Sequence, residues 1–331
     1  MPNEKQTPAK LPSIGAILAP FIAVALAFAN HSLDWPEWLG TPSNTPVSDS
    51  PAYPQVLGAL AAYWAVRSAA AFFSERQRVH VRHNGPLIAA GIALLAIWQT
   101  ITAKLGILPM PFFPGPDRVF EIMLEDVTLL RQSAFASLRL LSLGFLSGST
   151  VGFAVGVWFG WNRKAAYWGM PVLKFFGPVP STAWIPFALM LFPTTMGASV
   201  FILALASLFP MVVLTASGIA NTRHSHLEVA RTLGATPRQL ILHVAIPSAL
   251  PSIFTGLFMA LSASFITLVV AEAIGVKAGL GFYINWAQNF AEYHKIFASL
   301  LLMAVFFSSL MSALFFVRDR VLRWQQGLIK W

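Results

Sequence analysis

Residues 138–160 read LRLLSLGFLSGSTVGFAVGVWFG, with one charge, Arg139, near the start and glycine at positions 144, 148, 152, 156 and 160. As a helix this stretch rises about 35 Å, enough to cross a hydrocarbon core of about 30 Å. Inside that core only internal hydrogen bonding satisfies a backbone, so the stretch reads as a membrane-spanning helix. The four-residue spacing puts Gly144, Gly148, Gly152, Gly156 and Gly160 on one stripe, where a second helix can approach at backbone distance. A direct part in moving a solute is the other reading of that stripe.

Seven further apolar runs flank it, near Ser13 to Asn30, Ala52 to Phe73, Pro86 to Ala103, Val172 to Phe192, Ser199 to Ala220, Ala249 to Ala273 and Ile296 to Val317. The expected fold is therefore an all-α integral membrane bundle of about eight spans, the second of them carrying Arg67. Composition agrees: the 331 residues are 56% hydrophobic and 11% charged, against about 25% charged in soluble domains. A net charge of +9 arises without a basic stripe, which argues against nucleic acid as a partner. The basic residues instead divide fifteen to five between the two sides of the bundle, placing both termini and the loops 74–85 and 221–245 in the cytoplasm. With no cysteine, disulfides and thiolate chemistry are excluded.

Two features qualify the first half of the chain. Lys5, Lys10 and Ala27-Phe28-Ala29 around a short apolar run resemble a cleavable signal peptide; its removal would leave seven spans with the same orientation. Between Leu108 and Pro116 four prolines forbid helix, after which Asp117 can cap a helix that puts Phe120, Met123, Leu124 and Val127 on one face. That helix lies along the outer membrane surface or packs on the bundle.

Motifs for chemistry are missing. No G-x-x-x-x-G-K-[ST] occurs, so the chain is not expected to hydrolyse ATP, and Gly279-Leu280-Gly281 reads as a turn. His80 with His83 and His224 with His226 lack the carboxylate or thiolate companions of a metal site. The expectation is no catalytic residue, no metal and no cofactor in this chain.

The longest inner connection holds Ser225-His226-Leu227-Glu228-Val229-Ala230-Arg231-Thr232-Leu233-Gly234-Ala235-Thr236-Pro237. Ser225 and Glu228 have capping-box spacing, Gly234 is a natural helix stop, Thr236 a new N-cap and Pro237 a favourable first helical residue. Local chemistry thus specifies a short helix, a sharp turn and a second helix, closed by Val244, Ile246 and Pro247 before the seventh span.

This stretch resembles the signature E-A-A, three residues, G, nine residues, I-x-L-P of the inner-membrane permeases of binding-protein-dependent ABC importers. Glu228, Ala230, Gly234 and Pro247 match in identity and register, while Val229, Val244 and Ile246 are conservative departures. The resemblance covers most of residues 86 to 331 and points to the branch serving sulfonates, taurine, nitrate and bicarbonate. It rests also on Ser137-Leu138-Arg139, Pro178-Val179-Pro180, Ala183-Trp184-Ile185-Pro186, Ala271-Glu272, Gly279-Leu280-Gly281 and Arg323-Trp324. It implies a six-span type I permease core over 86–331 with a coupling loop at 221–247, and leaves 1–85 as an N-terminal extension with two extra spans.

It also implies a coupling helix of Glu228, Val229, Ala230, Arg231, Leu233, Gly234 and Ala235, with Pro247 beyond, that seats on a separate ABC ATPase subunit binding ATP and Mg. A second permease copy, an external substrate-binding protein and membrane lipid are the other implied partners. Arg139 and Glu272, near span ends, are candidates for the path of a small anion, though an interfacial arginine also anchors helices. An ion-coupled secondary transporter is the rival reading, and a membrane-embedded enzyme a third; Arg67 is the only clear mid-span charge where the first expects buried ionisable groups, and the paired carboxylates of the second are missing.

Overall fold

A computed structural model describes residues 14–33, 50–105, 107–108 and 111–325. Among them, seven helices are long and apolar enough to cross a membrane. They are α1 (Ile14–Ser32), α2 (Ala52–Phe73), α3 (Glu75–Gln99, continued as a wide π turn over Thr100–Lys104), α5 (Val127–Trp161), α8 (Thr195–Ala220), α11 (Ile246–Gly275) and α13 (Tyr293–Val321). The shorter helices are α4 (Pro116–Glu125), α6 (Arg163–Phe176), α7 (Ile185–Leu191), α9 (His224–Thr232), α10 (Pro237–Gln239) and α12 (Leu280–Asn289). Lys5, Lys10 and Lys330 lie outside the described residues, as does Pro109-Met110 of the proline-rich segment.

The eighth expected span, Val172 to Phe192, is not one helix. It is divided into α6, a non-helical link at Gly177–Pro180, a 3-10 turn at Ser181–Trp184 and α7. Pro178, Pro180 and Pro186 supply no amide, so continuous helical bonding cannot run through this stretch and an apolar run long enough to span is broken instead.

The chain packs as two compact units, one of residues up to Val127 with Ala287–Ala298, the other of Thr128–Trp286 with the residues from Ser299 onward. In the first, α1, α2 and α3 enclose two apolar clusters, one around Tyr53, Leu57 and Ile92 and one around Trp64, Ala71 and Val81. Trp64 Nε1 donates to the carbonyl of Ile17 at 3.0 Å, and Lys104 Nζ caps the end of α1 through the carbonyls of Leu33 (2.7 Å) and His31 (3.2 Å). Arg67 turns toward the α2–α3 hairpin, where Nη1 donates to Gln77 Oε1 at 3.0 Å. It is not an isolated mid-span charge.

Helix α4 packs on α2 and α3, its Phe120 ring 6.2 Å from that of Tyr53, which selects the bundle-packed alternative. Its N-cap is Gly115 with Pro116 next, so Asp117 sits one position too far in to cap and is buried. Proline at the first helical position, where an amide would go unused, shifted the start.

In the second unit α8 and α11 form the central pair. Leu140, Leu141, Leu203, Leu261, Leu268 and Ala271 make one cluster, Met211, Ile219, Ala245, Ala249 and Ile253 another. The glycine stripe of α5 lies directly on α8. A Cβ at Gly144 or Gly148 would collide with Leu203, or with Ser207 and the Ala204 carbonyl. One at Gly152, Gly156 or Gly160 would come within 2.8, 2.6 and 2.6 Å of the Cβ atoms of Met211, Thr215 and Ile219. Each partner lies 59 residues beyond its glycine, so the two helices run parallel in constant register.

Candidate functional site

Helix α9 is nine residues long and has no buried side chain. A helix this short is marginal by itself, so its ends decide whether it holds. Gly234 adopts φ +82°, the Gly234 amide donates to Arg231 O at 2.9 Å and the Ala235 amide to Ala230 O at 3.0 Å. This is the paired-bond stop that a left-handed glycine makes. Thr236 then caps the next helix reciprocally: its hydroxyl accepts from the Gln239 amide at 3.4 Å, its own amide donates to Gln239 Oε1 at 2.8 Å, and Pro237 follows.

Two local expectations are corrected. Helix α9 begins at His224, so Ser225 and Glu228 fall inside it and form no capping box; Arg223 occupies the cap position with no side-chain bond. Pro247 does not close the second helix. A π turn over Leu240–Ala245 carries α10 into α11 as one helix of 39 residues, Pro237–Gly275. The wide turn bonds the Ile246 amide to Ile241 O, absorbing the carbonyl mismatch that the missing amide of Pro247 creates.

The short helix is therefore joined through Thr236 to the end of one long helix. Val229 is 59% and Leu233 82% exposed, Glu228 and Arg231 are exposed beside them, and Ala230 and Ala235 are half-buried. Charged and apolar side chains share a surface on which Leu233 stays uncovered among the described residues, an arrangement suited to a docking partner.

A second feature lies at the broken span. The link Gly177–Pro180, the middle of α8 and the middle of α11 line an open cavity of about 720 Å³. Irregular backbone at membrane depth is tolerated where it lines such a space. Thr267 Oγ1 donates to Ala263 O at 2.9 Å and lies 2.8 Å from Ser181 Oγ, fixing the 3-10 turn against α11. Lys174 and Thr182 also line the cavity. Ser181, Thr182 and Thr267 were not singled out in the sequence, and Lys174 was counted there only among the fifteen basic residues of the inner side, although a lysine inside an apolar run beside Pro178 and Pro180 was a readable signal.

Glu272 and Arg139 are separated in role. Glu272 is fully buried at the far end of α11, where Oε2 accepts from the Gly281 amide at 2.8 Å and the Ser137 hydroxyl bonds the same carboxyl. Ser137 Oγ in turn accepts from the Leu280 amide at 2.9 Å. Side chains at Gly279, which has φ +138°, or at Gly281 would collide with the carboxyl or its stem. The carboxyl thus joins α5, α11 and the start of α12. Arg139, two residues past Ser137, is exposed and forms no ion pair among the described residues. No group of three or more potential metal ligands occurs among the described residues.

Residues 148–326 match the family model described as the inner membrane component of binding-protein-dependent transport systems. An ABC transporter permease protein of Brucella abortus is 31% identical over 257 residues, covering 73% of this chain and 99% of the relative. An aliphatic sulfonates transport permease protein of Bacillus subtilis is 29% identical over 238 residues, covering 71% and 85%. Permeases named for taurine, nitrate and bicarbonate transport match as well, at 27 to 29% identity. In fold, the chain is similar to the inward-facing MetNI methionine ABC transporter, with TM-score 0.51, 21% identity, and 60% of this chain against 97% of that one. Seven apolar helices, a capped nine-residue helix in the signature register and a family match over more than half the chain lead to one statement: the chain belongs to the family of inner membrane components of binding-protein-dependent transport systems.

Proposed function

We propose that the chain is the membrane-spanning permease subunit of an ATP-driven importer, carrying a small anion of the sulfonate, taurine, nitrate or bicarbonate class into a bacterial cytoplasm by alternating access. ATP and Mg belong to two separate ATPase subunits, and an external binding protein delivers the solute. A second permease copy completes the path. Both termini face the cytoplasm, residues 86–331 form the transport core and residues 1–85 an extension to it. The glycine stripe serves as the packing seam of that core.

The observation that carries this reading is α9, held at its C-terminal end by Gly234 and presenting exposed Val229 and Leu233. A membrane subunit with no nucleotide site of its own is driven only through a stiff contact with one that has it, and Glu228, Val229, Ala230, Arg231, Leu233, Gly234 and Ala235 supply that contact, with Pro247 in the helix behind it. The names of the sulfonate, taurine, nitrate and bicarbonate relatives support the solute class.

Co-purification of the ATPase subunit with wild-type and variant chains tests the reading. A Cβ at position 234 meets open space, so Gly234→Val acts through its positive φ, at about 1–2 kcal/mol. The variant is expected to reach the membrane normally and to lose uptake and ATPase association. Gly234→Asn, which tolerates the left-handed region, retains most of both. Glu228→Ala, with no cap to lose, is milder than Gly234→Val. Full uptake with substrate-stimulated ATP hydrolysis in Gly234→Val would remove coupling from this helix.

A further inference from the structure

We infer that the cavity at the broken span is a charge-selective anion site, in which Lys174 supplies the attracting charge and Thr182 a hydroxyl donor. This rests on the permease reading and names the residues that its solute meets inside the membrane.

Depth is the first support. The cavity is lined by Ala206 to Leu214, near the midpoint of α8, and by Met259 to Thr267, near the midpoint of α11. Lys174 is the one charged residue among its seventeen lining residues, and no carboxylate pairs with it among the described residues. Lys174 is an exposed residue on the wall of this open cavity, and an ionisable side chain among apolar lining residues marks a polar path.

The donor inventory narrows the contacts. The Thr267 hydroxyl is committed to Ala263 O and Ser181 Oγ lies within bonding distance of Thr267, so this pair locks the backbone in place. Thr182 makes no such side-chain bond and can donate to an incoming solute. An ammonium is a compact point charge with no planar fork, so it attracts oxyanions of different shapes about equally. The volume, about 720 Å³, is that of a drug-sized pocket and exceeds what a nitrate or bicarbonate fills. The site therefore selects by charge and leaves shape selection to an earlier step. A lipid chain or the apolar face of a second copy would need no cation here.

The chain has no cysteine, so Thr182→Cys gives one thiol per permease chain, and the importer without this substitution supplies the background labelling. Thiol labelling by anionic sulfonatoethyl and cationic trimethylammonioethyl methanethiosulfonate is compared, with and without Lys174→Gln. Relative to each reagent's rate with a free thiol, the anionic reagent is expected to react at least about tenfold faster, from one unit charge at close range, and Lys174→Gln to erase that difference. Equal normalised rates in the Lys174 background overturn the charge-selective site. No reaction with either reagent also overturns it, because lipid or a second copy then fills the space.

In vesicles, Lys174→Gln should lower uptake of each transported anion about tenfold, with Lys174→Arg retaining most of it. Unchanged uptake in Lys174→Gln overturns the role in transport. If charge-selective labelling holds while the wild-type importer moves none of taurine, an alkanesulfonate, nitrate or bicarbonate, the anion site stands and the solute class proposed above falls.

Discussion

Replacing Gly148 by alanine sets two opposed effects against each other, and the structure decides between them. Alanine gains about 1 kcal/mol over glycine in a helix interior. Against this, a Cβ at 148 would strike Ser207 Oγ and the Ala204 carbonyl of α8. The hydroxyl can rotate; the carbonyl belongs to a helix backbone and can yield only if α8 moves. Comfortable carbon contacts begin near 3.5 Å, so α5 and α8 must part by roughly 1 Å. The constant register of the four other glycines then opens the whole seam, because two rigid helices separate along their length. Overpacking of this kind costs about 1–3 kcal/mol, and the net for Gly148→Ala is a loss of about 0–2 kcal/mol. Gly91, in α3, provides the control: a Cβ there meets nothing within 4 Å, so Gly91→Ala is neutral or slightly stabilising. Thermal unfolding in detergent, followed by the loss of monodisperse protein, compares the two. Gly148→Ala unfolding no earlier than Gly91→Ala would show that the seam is not closely packed.

Glu272→Ala leaves the buried amide of Gly281 without an acceptor and is expected to cost about 1–3 kcal/mol, while Glu272→Gln keeps that acceptor and stays near wild type. Proteolysis at the 276–281 turn reads the difference. Thr236→Ala removes one half of the reciprocal cap and about 0.5–1 kcal/mol, seen as faster amide exchange across residues 234–240 with α8 unaffected.

What could be read in advance follows from how local its cause is. Seven spans were legible because each long apolar run settles its own state in a membrane. The stop at Gly234 and the start at Thr236 were legible because a few neighbouring residues determine them. Ser225 was misjudged because capping depends on where a helix begins, and a start at His224 placed Ser225 inside. The break at Gly177–Pro180 was visible as prolines but was outweighed by counting apolar residues. The cavity was not legible, since Lys174, Thr182 and Thr267 come from three separate elements. Glu272 was marked, but its link to Ser137 joins positions far apart in the chain, which no spacing rule reaches.

The uninterrupted helix from Pro237 to Gly275 has a mechanical meaning. At 1.5 Å per residue its 39 residues extend about 58 Å, almost twice the thickness of a hydrocarbon core. It therefore leans steeply or stands proud of the bilayer, with α9 hinged to one end through Thr236 and the buried Glu272 carboxyl near the other. A lever of that length turns one degree of rocking into about 1 Å of travel at the opposite tip. The π turn at Leu240–Ala245 and the interior Pro251 are joints at which it can bend. Stiffness there sets how much of a push delivered at α9 arrives at Glu272 and how much is lost as bending.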